Sequence, residues 1–268
     1  MTIKIFDIKS TIISKNNAAK NWGNHNFIFK ECAKNIIEKT QELGKKFDNI
    51  LLITSDFNDL LNEMQNIQFK KITILSQYQE LNKEKKEEEK KIKRISKLFE
   101  PFNLDEKFDL IICHLSLHRI NDVIKFSSDL KKNLTVNGAL VCSYFGGKTL
   151  IELRDSLIKT DEYLKKAFYQ RVIPYIDMID AGNIFSKAAF TEIVSDKTTY
   201  KIKYSNFNKL LNDIRGVGES NCLTERNKGL MTNNFLNTLE KIYLKNFKDF
   251  DKNFIVTCEV ISLTMWNS

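Results

Sequence analysis

Residues 49–54 read NILLIT, a short, near-continuous apolar run of the kind needed by a parallel strand covered on both faces. A helical stretch over 57–64 follows it. Two more runs of the same type come next, KITIL at 71–75 and DLIIC at 109–113. Upstream, Phe29, Ala33, Ile36, Thr40 and Leu43 recur at a helical period closed by Gly44, a residue able to take the left-handed conformation after a helix end. Downstream, 122–133 reads as a helix, 137–144 as a strand opened by a turn, and 149–158 as another helix. Strands alternating with helices predict a parallel α/β sheet. After about residue 160 the pattern changes to helices at 177–186, 205–214 and 232–246, with strand-like segments at 190–200 and 254–264. There is no internal repeat and no flexible linker. One domain over 1–268 accounts for this better than two. It comprises an N-terminal helical segment (1–46), an α/β core (47–160), a helical lid with a late strand (161–252) and a closing strand (253–268).

The 268 residues are 42% hydrophobic and 11% aromatic, enough to bury a sizeable core and too apolar for a disordered tail. No apolar run approaches the roughly 18–20 residues needed to cross a bilayer, and residues 1–14 do not build a signal-peptide core. A soluble, unexported protein is expected, and nothing predicts a membrane span. Cys32, Cys113, Cys142, Cys222 and Cys258 stand far apart, without the close pairs of a zinc site, so buried reduced thiols and no metal site are expected. Lysine and arginine outnumber acids 42 to 34. Much of the lysine lies in KEKKEEEKKIKR at 83–94, where Glu87 and Glu89 face lysines at helical spacing. That predicts a solvated helix face rather than a nucleic-acid stripe, because no aromatic residues interleave for base stacking.

Four segments, taken in order, carry a resemblance. Phe6-Asp7 with Asn17-Ala18-Ala19 comes first. The run from Phe108 through Leu115-Ser116-Leu117-His118 to Asn121-Asp122 is second. Phe145-Gly146-Gly147-Lys148-Thr149-Leu150 runs into Glu152-Leu153-Arg154, and Gly216-Val217-Gly218-Glu219-Ser220-Asn221 is the last. Together they resemble the methyltransferase-like group that includes the carrier-protein methyltransferase of the biotin pathway, BioC, and mitochondrial complex I assembly factor 5. The third and fourth segments favour the assembly-factor branch. The resemblance implies a Rossmann-like class I methyltransferase fold, with a mostly parallel seven-stranded sheet and a helical lid inserted before the last strands. Plainer readings stand beside it. Gly146-Gly147 also suits a strand-to-helix turn, 216–221 a helix stop followed by an N-cap serine, and His118 a packed loop histidine.

A class I fold holds S-adenosylmethionine with a glycine-rich turn after the first strand and an acid at the end of the second, by the logic of dinucleotide folds. Here the turn reads Thr54-Ser55-Asp56-Phe57-Asn58, without glycine, and KITIL leads into Ser76-Gln77-Tyr78 with no carboxylate until Glu80. At the adenine side the stretch 95–99 replaces the expected acid. Asp56 and Asn58 tolerate positive φ, but their side chains take space a cofactor needs. The candidate cofactor contacts are therefore Thr54, Ser55, Asp56, Asn58, Ser76, Leu115 and His118. S-adenosylmethionine binding is expected to be weakened or lost, the alternative being that an altered loop still admits it.

Phe145, Gly146, Gly147, Thr149, Arg154, Gly218, Glu219, Ser220 and Asn221 are the candidate substrate or partner contacts implied by the resemblance. Arg154 and Glu219 would act as charged contacts, Ser220 and Asn221 as hydrogen-bonding groups. No catalytic residue is assigned, and His114 with His118 does not make a readable iron site. The resemblance implies action on, or chaperoning of, a complex I Fe–S subunit. The alternative is O-methylation of a carrier-protein thioester, with acyl carrier protein as partner, and a nucleic-acid partner is disfavoured. The expected location is a bacterial cytoplasm, membrane-peripheral at most, or an organelle matrix in a eukaryote.

Overall fold

The structure, a computed structural model, describes residues 4–56, 58–79, 91–165 and 167–268. Seven strands, β1 (Phe47–Thr54), β2 (Phe69–Ser76), β3 (Ile92–Ser96), β4 (Phe108–His114), β5 (Leu134–Phe145), β6 (Thr191–Tyr204) and β7 (Phe254–Asn267), form one sheet. Their order is β3-β2-β1-β4-β5-β7-β6. All neighbours run parallel except β7, which is antiparallel to both β5 and β6. The strand order reverses between β1 and β4, which places a crevice at their carboxyl ends, where ligands of such sheets bind.

The strand NILLIT lies where its pattern demands. Ile50 and Leu52 enter one apolar cluster beneath α2 (Phe27–Gln41) and α3 (Asp59–Glu63), while Leu51 and Ile53 enter another on the opposite face with Phe126 and Ile111. All four are at most 1% exposed, and each such side chain contributes roughly 1.5–3 kcal/mol of burial. α4 (Val123–Lys132) follows β4 and is capped by Asp122, whose carboxylate accepts from Lys125 N. The lid comes in two parts. α5 (Ile151–Tyr163) and α6 (Met178–Lys187) lie between β5 and β6, and α7 (Phe207–Gly216) and α8 (Asn233–Phe247) between β6 and β7.

Two expectations change. The charged helix over 83–94 does not reach Arg94: Ile92–Ser96 is the edge strand β3, paired from Ile72↔Ile92 to Ser76↔Ser96, and residues 83–90 lie outside the described set. An edge strand with one solvated side tolerates lysine and arginine, which is why its composition reads as a helix face. The helix over 57–64 narrows to Asp59–Glu63, with Phe57 outside the described residues. In the N-terminal segment an additional helix, α1 (Ile8–Ala18), is capped by Asp7.

The segments that carry the resemblance converge. Phe6 pairs with Leu223 as an isolated antiparallel bridge, and its N–H donates to Asn121 Oδ1 at 2.8 Å. Asp7 also accepts from Arg226 at 3.2 Å. The FGGKTLIELR stretch fastens α5 to β7: Thr149 Oγ1 donates to Glu259 O at 2.9 Å, and Glu152 accepts from Thr257 N at 2.9 Å. Gly146 is required there, because a Cβ would lie 2.6 Å from Ile261 Cδ1 and 2.8 Å from Glu259 Oε1.

Candidate functional site

α1 packs against α7 with Thr11, Lys15 and Ala18 turned inward, and the charge of Lys15 acts on Asp56 and His114 at the ends of β1 and β4. Lys15 is fully buried. Its Nζ lies 2.8 Å from Glu219 Oε1, donates to Val217 O at 2.8 Å, and sits 4.6 Å from the centre of the Phe29 ring. Glu219 reaches this place because α7 stops. Gly218 adopts φ +68°, and a Cβ on it would come within 3.0 Å of Lys15 Cα; a Cβ on Gly216 would come within 2.2 Å of the His25 ring. The helix-stop reading of 216–221 therefore describes the backbone, although Ser220 caps no helix among the described residues. The stop also delivers a carboxylate into the interior.

Two more groups close on that carboxylate from the turn after β4. Arg119 Nη2 is 2.8 Å from Glu219 Oε2 and donates to Ser220 O at 3.2 Å, while His118 Nε2 is 3.2 Å from Oε2. Burial would raise the Glu219 carboxyl, but the charges of Arg119 and then Lys15 outweigh it and hold the acid well below its usual range. Burial pulls Lys15 down, partly resisted by Glu219, and acts on His118 in the same way. For Arg119 burial acts downward too, yet the Glu219 charge raises it. The result is an arginine–glutamate–lysine cluster with a neutral imidazole at its edge.

A second buried pair adjoins the first. Asp56 Oδ2 stands 3.5 Å from His114 Nε2, and His114 Nδ1 is 2.8 Å from Ser143 Oγ. Burial, with the charge of Asp59 adding to it, pushes Asp56 up to about 7. Burial, with the charge of Lys15 adding to it, pulls His114 down to about 3. Asp59 in turn accepts from Trp22 Nε1 at 2.8 Å and from Asn26 Nδ2 at 2.8 Å, so the N-terminal segment is locked onto the loop after β1. Among the described residues no group of three or more His, Cys, Asp or Glu side chains could hold a metal ion.

The structure gathers the cofactor candidates at this edge, and Asp56 Oδ1 and His118 Nδ1 are buried there with no hydrogen-bond partner among the described residues. Thr54 Oγ1 accepts from Asp56 N at 3.2 Å, Ser55 Oγ donates to Leu115 O at 2.6 Å, and Ser76 Oγ accepts from Tyr78 N at 3.1 Å. Asn58 takes φ 72°, as its side chain allows, while Asp56 is not among the positive-φ residues. Thr54, Ser55, Asp56, Ser76, Leu115 and His118 are all buried, and Asn58 is half-buried with its Oδ1 accepting from Arg94 Nη2 at 3.0 Å.

The partner candidates divide. Phe145 packs at 5.0 Å from the His118 ring and against Tyr175. With Phe29, Tyr175, Asp213, Glu219 and Cys258 it helps line an apolar cavity of about 70 Å³. Gly146, Gly147, Thr149 and Arg154 belong to the junction of α5 with β7, where half-buried Arg154 donates to Gly147 O at 3.2 Å. Ser220 and Asn221 lie on the outer side of the lid, Asn221 donating to Gln170 O at 2.9 Å. Sequence reading missed Lys15 and Arg119. The N-cap pattern of Asp7 before a helix could have exposed α1, but nothing in the residue types announces a lysine turned inward.

No protein-family profile matches the chain. A Dictyostelium discoideum protein named arginine-hydroxylase NDUFAF5, mitochondrial, is 35% identical over 163 residues, 60% of this chain and 37% of that protein. An Ilyobacter polytropus malonyl-[acyl-carrier protein] O-methyltransferase is 28% identical over 255 residues, 94% of this chain and 91% of that protein. Among solved structures, the YcgJ protein of Bacillus subtilis matches with TM-score 0.58 at 10% identity, over 87% of this chain and 97% of that one. A Haemonchus contortus phosphoethanolamine N-methyltransferase bound to S-adenosyl-L-methionine matches with TM-score 0.51 at 12% identity, over 86% and 52%. The chain has the class I methyltransferase fold and is similar in sequence to both named proteins. It spans less than half the length of the NDUFAF5 relatives from Dictyostelium and mouse. In this methyltransferase-fold chain the five cysteines are free and buried, and no helix among the described residues is long and apolar enough to cross a membrane.

Proposed function

We propose that this homologue serves a protein partner from its lid side, in the manner implied for the assembly-factor branch, and binds S-adenosylmethionine weakly or not at all. The partner in this reading is an Fe–S subunit of a respiratory NADH:quinone oxidoreductase, which the chain modifies or chaperones. One observation carries the proposal: the carboxyl edge of β1 and β4 is filled by Lys15, Glu219, Arg119 and the Asp56–His114 pair, all with buried side chains. The residues present do not fit the cofactor. A sulfonium ligand would meet the Lys15 and Arg119 cations, and among the described residues the end of β2 offers its ribose Ser76, whose Oγ accepts from Tyr78 N, and no acid.

Calorimetric titration with S-adenosylmethionine and S-adenosylhomocysteine tests this. The expected result is no saturable heat at millimolar ligand. Micromolar binding would overturn it and favour the second reading, methylation of a carrier-protein thioester. That reading draws on the Ilyobacter relative, whose match runs along 94% of this chain. Transfer of labelled methyl to malonyl carrier protein would then establish it.

A further inference from the structure

On the outer side of the lid, α5 and α8 leave a groove of about 590 Å³ whose floor is Leu153, Leu157, Phe235 and Leu239. Its rim is cationic: Arg171, Arg215, Arg226 and Lys228 all line it, and none of its lining residues is acidic. Arg171 is bound through both terminal nitrogens to Asp161 and lies 4.7 Å above the Phe235 ring, while Arg226 is held by Asp7. These two arginines are therefore fixed walls. Arg215 and Lys228 are exposed at the rim. Beside them Leu230 is 98% exposed and Met231 41%, so two large apolar side chains of the same lining face water.

From this arrangement we infer that the groove is a docking site for an amphipathic, acidic segment of a protein partner. Its apolar side chains would lie on the floor between α5 and α8, under Leu230 and Met231, and its carboxylates would meet Arg215 and Lys228. Charge complementarity selects this occupant: with Arg171 and Arg226 already paired to Asp161 and Asp7, a basic segment would still meet Arg215 and Lys228 with no carboxylate in the lining to receive it, and a purely apolar one would make no use of those two charges. Ser220 and Asn221, at the edge of the same groove, supply hydrogen-bonding groups for the segment's backbone. The inference rests on the proposed role of the lid side as a partner face and names the chemistry of that partner.

Fluorescence anisotropy with the full chain tests it. The probe is a labelled peptide of about 14 residues, long enough for some 20 Å of helix, with leucine at i, i+3, i+4 spacing and glutamate elsewhere. A matched Leu/Lys peptide is the control. The expected results are saturable binding of the Leu/Glu peptide alone, binding weaker by about tenfold or more for the Arg215→Glu/Lys228→Glu variant, and a gain of Leu/Lys binding by that variant. Leu230→Ser, at an exposed position, should weaken binding by about tenfold without altering the rim charge, and it keeps the test open should the double variant fail to fold. Equal binding of both peptides, or Leu/Glu binding untouched by charge reversal and by Leu230→Ser, would overturn the docking site. Micromolar S-adenosylmethionine binding would instead overturn the functional reading while leaving these peptide results intact, so the two failures are distinguishable.

Discussion

The carboxyl edge of β1 and β4 and the outer groove of the lid both concentrate basic residues, and they treat them in opposite ways. At the strand edge Lys15 and Arg119 have 0% and 4% exposed side chains and share one carboxylate, that of Glu219. Along the groove Arg215 and Lys228 stand in water with no acid in the lining. Buried charge of the first kind contributes little net stability when intact and costs much when broken, whereas exposed charge of the second kind contributes little either way and is free to meet a partner. The strand edge thus turns its two cations onto one shared acid, and the groove presents two of its cations to water.

The sharpest way to break this comparison is Glu219→Gln. Removing the one carboxylate shared by Lys15, Arg119 and His118 strands two buried cations, so stability should drop by about 3–5 kcal/mol, read as a lower urea midpoint. A drop below about 1 kcal/mol would mean that the edge is hydrated and open, like the groove. Lys15→Met should cost less, about 1–2 kcal/mol, because Arg119 and His118 still hold Glu219 and a thioether can pack against Phe29 and Trp22.

Gly216→Ala probes how the edge is assembled. Its new Cβ would sit 2.2 Å from the His25 ring, displacing a histidine whose Nδ1 is 2.7 Å from Asp213 Oδ1. Overpacking of this kind costs about 1–3 kcal/mol. Loss of the His25–Asp213 contact should show in the histidine's ring resonances by nuclear magnetic resonance.

Much of the fold was legible because the central strands carry no polar ambiguity. Ile50 to Ile53 alternate between two apolar layers, so a continuous apolar run suffices to mark β1. β3 was not legible, since an edge strand reading IKRIS beside a lysine-rich run presents the composition of a solvated helix. α1 escaped because its inward face is Thr11, Lys15 and Ala18, with no apolar stripe to count. The candidate site was half legible for the same reason. The motif pointed to Glu219 and His118, and the glycine-free turn to Asp56 and Asn58. But the group that binds Glu219 from α1 is a lysine, a residue type almost always assigned to solvent unless its partner is known in advance. Residue type reports where a side chain is comfortable alone, and a buried ion cluster is comfortable only as a set.

Asp56 gives the comparison a pH axis. Its carboxyl is raised from 3.8 to about 7, first by burial and then by Asp59. Below both values each state holds the proton and the group's stabilising contribution is fully present; as pH rises from 4 towards 7 the unfolded chain releases the proton while the folded chain retains it, so stability declines across that window. Glu219, held well below its usual range, acts the other way and weakens the fold only in more acid solution. Asp56→Asn preserves the size of the side chain and its acceptor oxygen for Leu60 N. It should flatten the decline between pH 4 and 7 and raise stability at pH 8 by about 1–2 kcal/mol, measured as urea midpoints against pH. An unchanged slope would remove Asp56 from the buried set.

The smallest effect is expected where the second region is touched, and that smallness is itself the contrast. Leu230 at 98% exposure and Arg215 at the rim touch little of the core, so Leu230→Ser and Arg215→Glu should each shift stability by no more than about 0.5 kcal/mol. A larger loss in either would show that the groove is held shut by its own rim, with Leu230 or Arg215 acting as internal packing, and would remove the physical distinction between a sealed edge and an open face. Silence in the unfolding curve together with lost affinity for an acidic amphipathic peptide is the combination that only a surface kept for a partner produces. Arg171 and Arg226 serve the fold through Asp161 and Asp7, so Arg215, Lys228 and Leu230 are the side chains around this groove on which the docking proposal stands or falls.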